Sequence, residues 1–404
     1  MQSQSVSDQK RHGSGFAEVF LIFLRLGVTC FGGPIAHLSY FREEFVERRK
    51  WLADHAYADL VGLCQFLPGP ASSEVGIALG LFRAGMPGAL AAWAGFTLPS
   101  ALALVLFGLV LNGIGADANG AWLHGLKVMA VAVVAQALWG MGRSLCPDRI
   151  RATLAVAAAL IASSFPGALG QIGVILGGGL LGWLWLSPAE ALPHTSLPIK
   201  LGRGTGAASL FLYLALLLVL PLAARESGSP ALDLFDRFYR SGALVFGGGH
   251  VVLPMLQAQV VSSGLVSNDA FLAGYGAAQA VPGPLFTFAA YLGAVSSQNP
   301  NGWLGAAIAL AGIFLPAFLL VIGALPLWEQ ARRYPAMQQA MMGINAAVVG
   351  LLLAAFHNPV WTSAIRSTPD FLLAASAFLL LMFWKIPPWA VAGFCAGAAG
   401  LGWR

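Results

Sequence analysis

Charged side chains are scarce in this chain. They make up 10% of its 404 residues, whereas an average soluble protein carries roughly 25%. Apolar residues account for 58%, and the mean hydropathy is +0.75. A soluble domain of this size could not cover its surface with so few charges, so the composition excludes a globular cytosolic enzyme. The length instead suits ten or more membrane segments, at about 20 residues per helix.

Cysteine is also scarce, and the four residues Cys30, Cys64, Cys146 and Cys395 lie far apart in apolar surroundings. No Cys-x-x-Cys pair occurs, so neither a metal knuckle nor a disulfide framework is indicated. We therefore expect no metal site and no cofactor. The polar stretch 1–15 precedes an apolar run without a convincing cleavage site, which favours mature sequence over a signal peptide.

The net charge of +5 is spread along the chain and is not concentrated in a patch. This distribution argues against nucleic acid as a partner. It is typical of loops that face anionic lipid on a cytoplasmic surface.

Apolar runs predict an all-α, polytopic membrane fold. Candidate spans cover residues 86–113, 119–141, 149–164, 171–186, 207–224, 301–327, 336–357, 369–384 and 386–403. Four further apolar stretches are interrupted by Gly or Pro and resemble re-entrant hairpins: 16–37, 56–84, 241–256 and 270–296. The one long polar stretch, near Ser187 to Gly206, indicates a linker.

The chain repeats itself at a nearly constant offset. The matching segments are Phe31-Gly32-Gly33 with Phe246-Gly247-Gly248, Arg25 with Arg240, Gln65 through Pro70 with Gln279 through Pro284, Leu98-Pro99 with Leu315-Pro316, and Gly125-Leu126-Lys127 with Gly343-Ile344-Asn345. Matches in the same order indicate an internal duplication. The expected organisation is a first transporter repeat over 1–186, a linker with a connecting helix over 187–232, and a second, inverted repeat over 233–404.

The distribution of Lys and Arg predicts that the second repeat is inverted. We assume that each interrupted apolar stretch enters and leaves the membrane on the same side. Fifteen of the 22 Lys and Arg residues then fall on one face, four fall on the other, and three lie within segments. By the positive-inside rule the richer face is cytoplasmic. A model in which each interrupted pair crosses once would change the number of spans and still allow inverted halves.

Two inverted copies with broken helices at matching positions describe a secondary transporter whose substrate lies near the membrane midplane. A Pro-Gly-Pro break frees backbone groups, which must face protein or a wet cavity. A half-helix that starts near Ala71 or Leu285 would aim unpaired N–H groups and a positive dipole end inward, which predicts an anion site. The predicted substrate-binding residues are Arg25, Gly32, Gly33, Pro68, Gly69, Pro70, Ser72, Ser73, Arg240, Gly247, Gly248, Pro282, Gly283, Pro284 and Thr287.

Ionisable residues inside the apolar segments are further candidates. Arg25 and Arg240 occupy equivalent positions, and each either binds an oxyanion with its guanidinium fork or snorkels to the headgroups. Four residues are candidates for coupling or auxiliary roles: Glu74, Lys127, His37 and His250. For each there is a plainer structural alternative, such as a helix-start carboxylate or a hydrogen-bonded core histidine.

Small-residue motifs indicate close helix contacts. Gly178-x-x-x-Gly182 and Gly393-x-x-x-Gly397 are candidates for such a contact, including a homodimer face. The Gly32-Gly33 and Gly247-Gly248 pairs either let a ligand approach or merely permit tight helix packing.

At these motifs the sequence resembles the chromate transporter family of the long, two-repeat type. The resemblance rests on Phe31 to Pro34, Gln65 to Ser73, Gly80, Phe96 to Pro99, Phe246 to His250 and Pro282 to Pro284. It implies a multi-pass inner-membrane protein that exports chromate and confers chromate resistance, with inverted repeats that descend from a duplication. Similar proteins tend to have glutamine where this chain has Glu74, and a carboxylate there would repel a dianion unless it were protonated or paired.

We therefore expect a chromate efflux transporter that is not an enzyme, with chromate, and sulfate as a second candidate, among its ligands and membrane lipid around it. The alternatives are a transporter or exchanger of sulfate or another oxyanion, an intramembrane enzyme and a non-transporting scaffold. An enzyme would need a nucleophile–base set or metal ligands, and no His-Glu-x-x-His or Ser-x-x-Lys arrangement occurs.

Overall fold

The computed structural model describes residues 15–31, 33–113, 121–165, 168–187, 201–246, 252–328 and 334–402. Within these ranges the chain forms helices and no strand, which confirms the predicted all-α class. The helices are α1 (Phe16–Thr29), α2 (Gly33–Arg42), α3 (Asp54–Phe66), α4 (Ala71–Gly113), α5 (Ala121–Leu145), α6 (Arg149–Ser164), α7 (Ala168–Trp185), α8 (Arg203–Ser227), α9 (Pro230–Ala243), α10 (Val252–Leu256), α11 (Asn268–Ala280), α12 (Phe288–Ala294), α13 (Gly302–Ala324), α14 (Pro335–Ala355), α15 (Thr368–Met382) and α16 (Pro388–Gly400).

Five helices in the described ranges are long and apolar enough to cross a membrane. They lie within Ala71–Leu111, Ala121–Leu145, Arg203–Ser227, Gly302–Ala324 and Pro335–Ala364. Together with the shorter apolar helices they make the chain a multi-pass membrane protein.

The interrupted apolar stretches form pairs of short helices. The turn between α3 and α4 contains Gly69 at φ 139°, and the turn after α11 contains Gly283 at φ 97°. Both values favour glycine because a Cβ atom would strain such a backbone. A second break divides α4 at Ala84 and Gly85, where Gly85 has φ 65°. The two Pro-Gly-Pro breaks fall where the sequence pattern predicts them, and the break at Gly85 is an addition from the structure.

The long helices of each repeat pack against helices of the other repeat. Helix α5 of the first repeat packs against α15 and α16 of the second, and α14 of the second packs against α6 and α7 of the first. Glycines permit the close approach: a Cβ on Gly125 would collide with the carbonyl oxygen of Cys395, and a Cβ on Gly343 would collide with that of Gly178. The halves therefore form one interlocked bundle.

Two sequence-based interpretations need adjustment. Gly178 and Gly182 lie against Gly343 within the same chain, so this motif makes an internal contact and not a homodimer face. Helix α8 begins at Arg203, so the predicted linker ends earlier than Gly206, and its residues 188–200 lie outside the described residues. The segment after Gly206 forms a helix because it is rich in Leu and Ala, which have high helix propensity.

Candidate functional site

Each Pro-Gly-Pro turn is hydrogen-bonded to the opposite half of the molecule. The Gly69 amide donates to the carbonyl oxygen of Val245 at 2.7 Å, and the Gly283 amide donates to that of Cys30 at 2.9 Å. Val245 and Cys30 occupy equivalent positions in the two repeats, each directly before the Phe-Gly-Gly segment. The bonds are therefore reciprocal, as a pseudo-two-fold relation between the repeats requires.

These bonds occupy backbone donors of two glycines that the sequence pattern predicts to bind the substrate. The amides of Gly69 and Gly283 are both occupied, so neither is free to bind an anion. Their role is to fix each turn against the opposite half, and the ligand-directed donors must come from the helices that follow.

The start of α4 retains free donors. Its first intrahelical bond runs from the Glu74 amide to the Pro70 carbonyl at 2.9 Å, which leaves the amides of Ala71, Ser72 and Ser73 without intrahelical partners. The helix dipole places partial positive charge at the same end. The Ser72 and Ser73 side chains are each 3% exposed, so this donor set lies inside the protein.

Three polar side chains surround this helix start. His37 Nδ1 lies 3.3 Å from Ser72 Oγ, and His37 is 1% exposed. His37 Nε2, Ser73 Oγ and both carboxyl oxygens of Glu74 are buried, and none has a hydrogen-bonding partner among the described residues. Glu74 folds back so that its carboxyl group lies against Gly69. Buried polar groups are normally paired, so this cluster has unused hydrogen-bonding capacity.

The second half-helix is built differently. It begins with a 3₁₀ turn, Leu285–Thr287, before the seven-residue α12. The Thr287 hydroxyl donates to the Pro284 carbonyl at 2.7 Å, and the Thr287 amide donates to the same oxygen at 3.1 Å. The hydroxyl and the amide of Thr287 are thus both occupied. In the described part of the chain, the second half-helix therefore offers fewer free donors than the start of α4.

Arg25 and Arg240 lie in different surroundings, although they are equivalent in sequence. The Arg25 side chain is exposed and, in the described part of the chain, has no ion-pair partner. Arg240 pairs with Asp236 through Nη2 at 2.5 Å and Nε at 3.1 Å. It lines a cavity of about 410 Å³ beside the α8–α9 turn, away from the start of α4.

Lys127 is paired across the two repeats. Its Nζ atom lies 2.8 Å from Asp269 Oδ1, and its side chain is 3% exposed. The sequence pattern did not single out Asp269, because it stands in the first turn of α11, where an acidic residue is an ordinary helix-start feature. Only the fold brings it to Lys127.

Several predicted residues lie outside the described residues: Gly32, Gly247, Gly248 and His250. Gly33 starts α2 at φ 78°, and Pro68, Pro70, Pro282 and Pro284 flank the glycines of the two turns. In the ranges that the structure describes, no three His, Cys, Asp or Glu side chains are grouped so that they could hold a metal ion.

The fold and this site define a class: a duplicated, multi-pass helical membrane protein with an unpaired helix start buried where the repeats meet. The chain belongs to the chromate transporter family, whose signature it matches over residues 17–183 and 232–402. The two matched segments correspond to the two repeats.

Relatives of this chain cover nearly its whole length. It is 27% identical to a chromate transport protein of Pseudomonas aeruginosa over 381 residues, covering 92% of this chain and 88% of that protein. It is also 27% identical to a chromate transport protein of Cupriavidus metallidurans over 392 residues, covering 93% and 90%. An uncharacterized transporter of Methanocaldococcus jannaschii is 24% identical over 365 residues, covering 86% and 85%. No solved structure matches the chain.

Proposed function

We propose that this protein is a chromate efflux transporter of the inner membrane, which exports a tetrahedral oxyanion dianion from the cytoplasm and thereby confers chromate resistance. Family membership and relatives that are named chromate transport proteins support the substrate. The observation that carries the proposed site is the buried start of α4, where the amides of Ala71, Ser72 and Ser73 have no intrahelical partners.

This helix start suits a small oxyanion. Backbone N–H groups at a helix N-terminus bind phosphate-like anions through hydrogen bonds and through the dipole. Ser73 Oγ adds a hydroxyl with no partner of its own. Pro68, Gly69 and Pro70 hold this end in place through the bond from Gly69 to Val245, so the donors are fixed before the anion arrives.

The ion pair between Lys127 and Asp269 supports inverted repeats. Within the first repeat, α4 crosses away from the face at which the hairpins enter, so α5 starts on the opposite face. Lys127 is near the start of α5, and Asp269 is near the start of α11, the second helix pair of the other repeat. Their contact supports a second repeat whose entry face lies opposite that of the first, as expected for inverted copies.

The membrane potential favours export. Moving one charge across 100 mV corresponds to about 2.3 kcal/mol, so a dianion that leaves a negative interior gains about 4.6 kcal/mol. At about 1.4 kcal/mol per tenfold, this sustains an outward gradient of roughly 2,000-fold. Uptake would face the same energy as a cost and would need coupled ions.

Everted membrane vesicles test this function. We expect vesicles that contain the protein to accumulate radiolabelled chromate when an interior-positive potential is imposed, because their transport direction is reversed. Ser73→Ala should lower the initial rate about tenfold, as expected for one hydrogen bond to an anion. The matched control is Ser376→Ala, at an exposed serine of α15, which should transport normally.

Accumulation of sulfate but not chromate would support the alternative, a sulfate transporter or exchanger, and would contradict the chromate assignment. No voltage-dependent accumulation of either anion by a well-inserted protein would overturn the proposed function.

A further inference from the structure

We propose that Glu74 is held as a neutral carboxylic acid and donates a hydrogen bond to the anion at the start of α4, thereby selecting fully deprotonated dianions. This inference rests on the proposed oxyanion function. It adds a selectivity element to a site otherwise built from backbone amides and hydroxyl groups.

The surroundings of Glu74 favour the neutral form. Glu74 is 0% exposed, and among the described residues no group donates a hydrogen bond to either carboxyl oxygen. No Lys or Arg in the described ranges forms an ion pair with it. A carboxylate buried in a bundle without any partner is far more costly than the uncharged acid.

No Lys or Arg is among the titratable neighbours of Glu74 in the part of the chain that the structure describes. Cys64 on α3 and Tyr213 on α8 lie within electrostatic range of Glu74, and His37 on α2 bonds to Ser72, two residues before Glu74. The Tyr213 hydroxyl donates to the Ala243 carbonyl at 2.8 Å, so it is not available to Glu74. Among the described residues, no group accepts a hydrogen bond from the O–H of a neutral Glu74. This donor is therefore left for a ligand.

The protonation state would determine which anion binds. A neutral acid donates to chromate or sulfate, whose oxygens are all acceptors at neutral pH. An ionised carboxylate would repel these dianions and would accept the proton that hydrogen phosphate still carries. The two states therefore predict opposite preferences between sulfate and phosphate.

Binding measurements on the purified protein test this proposal, with chromate, inorganic sulfate and inorganic phosphate as probes. We expect wild type to prefer sulfate and chromate to phosphate. Glu74→Gln, which keeps a neutral donor, should bind sulfate within about threefold of wild type, and Glu74→Leu, which lacks the donor, should lose about tenfold or more.

Failure of this inference is distinct from failure of the proposed function. If wild type binds neither chromate nor sulfate, the oxyanion function fails. If wild type binds them but Glu74→Gln loses as much affinity as Glu74→Leu, or if phosphate is preferred, the neutral-donor role is overturned. Thermal unfolding of each variant shows whether it has retained the fold.

A different observation supports a second inference, because the equivalent helices α3 and α11 are packed unequally. Every residue of α11 from Phe271 to Ala278 is buried, and the helix packs against α5 and α16. A Cβ on Gly276 would lie 2.5 Å from the Leu126 carbonyl oxygen of α5. Helix α11 is therefore closely packed against α5 at Gly276.

Helix α3 is less closely packed than α11. Its residue equivalent to Gly276 is Gly62, where a Cβ would meet none of the described residues within 4 Å. Among the helices, α3 packs chiefly against α2 and α4 of its own repeat, and Ala58 and Gln65 are exposed. The equivalent glycines Gly125 of α5 and Gly343 of α14 both pack closely against a helix of the opposite repeat, α16 and α7 respectively. The asymmetry therefore does not extend to the whole bundle.

We infer that the structure represents one of two alternating conformations. In the other conformation α3 would pack against α14, with Gly62 against Ile344, the residue equivalent to Leu126, while α11 would separate from α5. The Lys127–Asp269 pair, at 2.8 Å, closes the α11 side in the present conformation. With the inverted topology proposed above, the closed side is external and the open side is cytoplasmic, as required for loading an exported anion.

A bulky residue at Gly62 tests this inference. Gly62→Leu has room in the present conformation but would block packing of α3 on α14. We expect anion binding by the purified variant within about threefold of wild type and transport in vesicles reduced more than tenfold. The matched control is Gly173→Leu, at an exposed glycine of α7 where a Cβ would also meet no described residue within 4 Å, and it should transport normally.

Normal transport by Gly62→Leu would overturn the alternation of α3. A cysteine pair at Gly62 and Ile344, in a variant whose four native cysteines are replaced by serine, gives an independent measurement. We expect this pair to cross-link during chromate transport. Absence of the cross-link in an actively transporting protein would also contradict the inference.

Discussion

At the residue scale, Arg240 and Asp236 show how a charge in an apolar helix can be structural. Asp236 is 1% exposed, and both of its oxygens accept from the Arg240 guanidinium. The pair is four residues apart on α9, so it needs no contact from elsewhere to form. Arg25, at the equivalent position in the first repeat, has no such partner in the described part of the chain, and the two arginines therefore need not share a role.

Removal of Arg240 alone should destabilise the protein. Arg240→Ala would leave the buried Asp236 uncompensated, and we expect a loss of about 2–4 kcal/mol, somewhat below the loss for a fully buried pair because Arg240 is partly exposed. Thermal unfolding in detergent measures this loss. The double variant Arg240→Met with Asp236→Leu should recover most of the stability, and failure to recover would point to a role for Arg240 beyond this pair.

At the element scale, the Pro-Gly-Pro turns join the two repeats as well as breaking the helices. A Cβ on Gly283 would lie 2.8 Å from Ser100 Oγ and 3.2 Å from the Phe96 carbonyl oxygen, both on α4. The Gly283 turn therefore combines a backbone conformation that favours glycine with close packing against the opposite half.

Gly283→Ala should cost more than the same change at Gly228. Both glycines have positive φ, 97° and 61°, but a Cβ on Gly228 would meet nothing within 4 Å. We expect the Gly228 variant to lose about 1 kcal/mol from backbone strain and the Gly283 variant to lose a further 1–3 kcal/mol, approximately, from overpacking. Thermal unfolding of the two variants measures the difference, and equal losses would contradict the tight packing of this turn.

At the scale of the whole molecule, inversion of the repeats makes a direct prediction. Cysteines introduced at Ser229, between α8 and α9, and at Ser367, before α15, should react with an impermeant maleimide added outside intact cells. Native Cys146, between α5 and α6, should react only after the membrane is opened, because the distribution of Lys and Arg predicts that it faces the cytoplasm. Reaction of all three positions from the same side would rule out inverted repeats.

The sequence predicted the helices well because each depends on nearby residues. Apolar runs placed the long helices within a few residues, and the Pro-Gly-Pro pattern placed the breaks at Gly69 and Gly283. The exceptions were local: α8 begins earlier than expected, and Leu285 starts a 3₁₀ turn before α12. The candidate site was predicted less completely, since the pattern offered Gly69 and Thr287 as donors that are in fact occupied.

The sequence by itself determined that this is a duplicated, multi-pass membrane protein of the chromate transporter family, because low charge, apolar run lengths and repeated motifs are properties of the chain alone. Only the tertiary structure decided which donors stay free, that Lys127 pairs with Asp269, that Glu74 has no partner and that α3 and α11 differ in packing. These features depend on contacts between residues far apart in the chain, and such distances cannot be read from hydropathy or spacing.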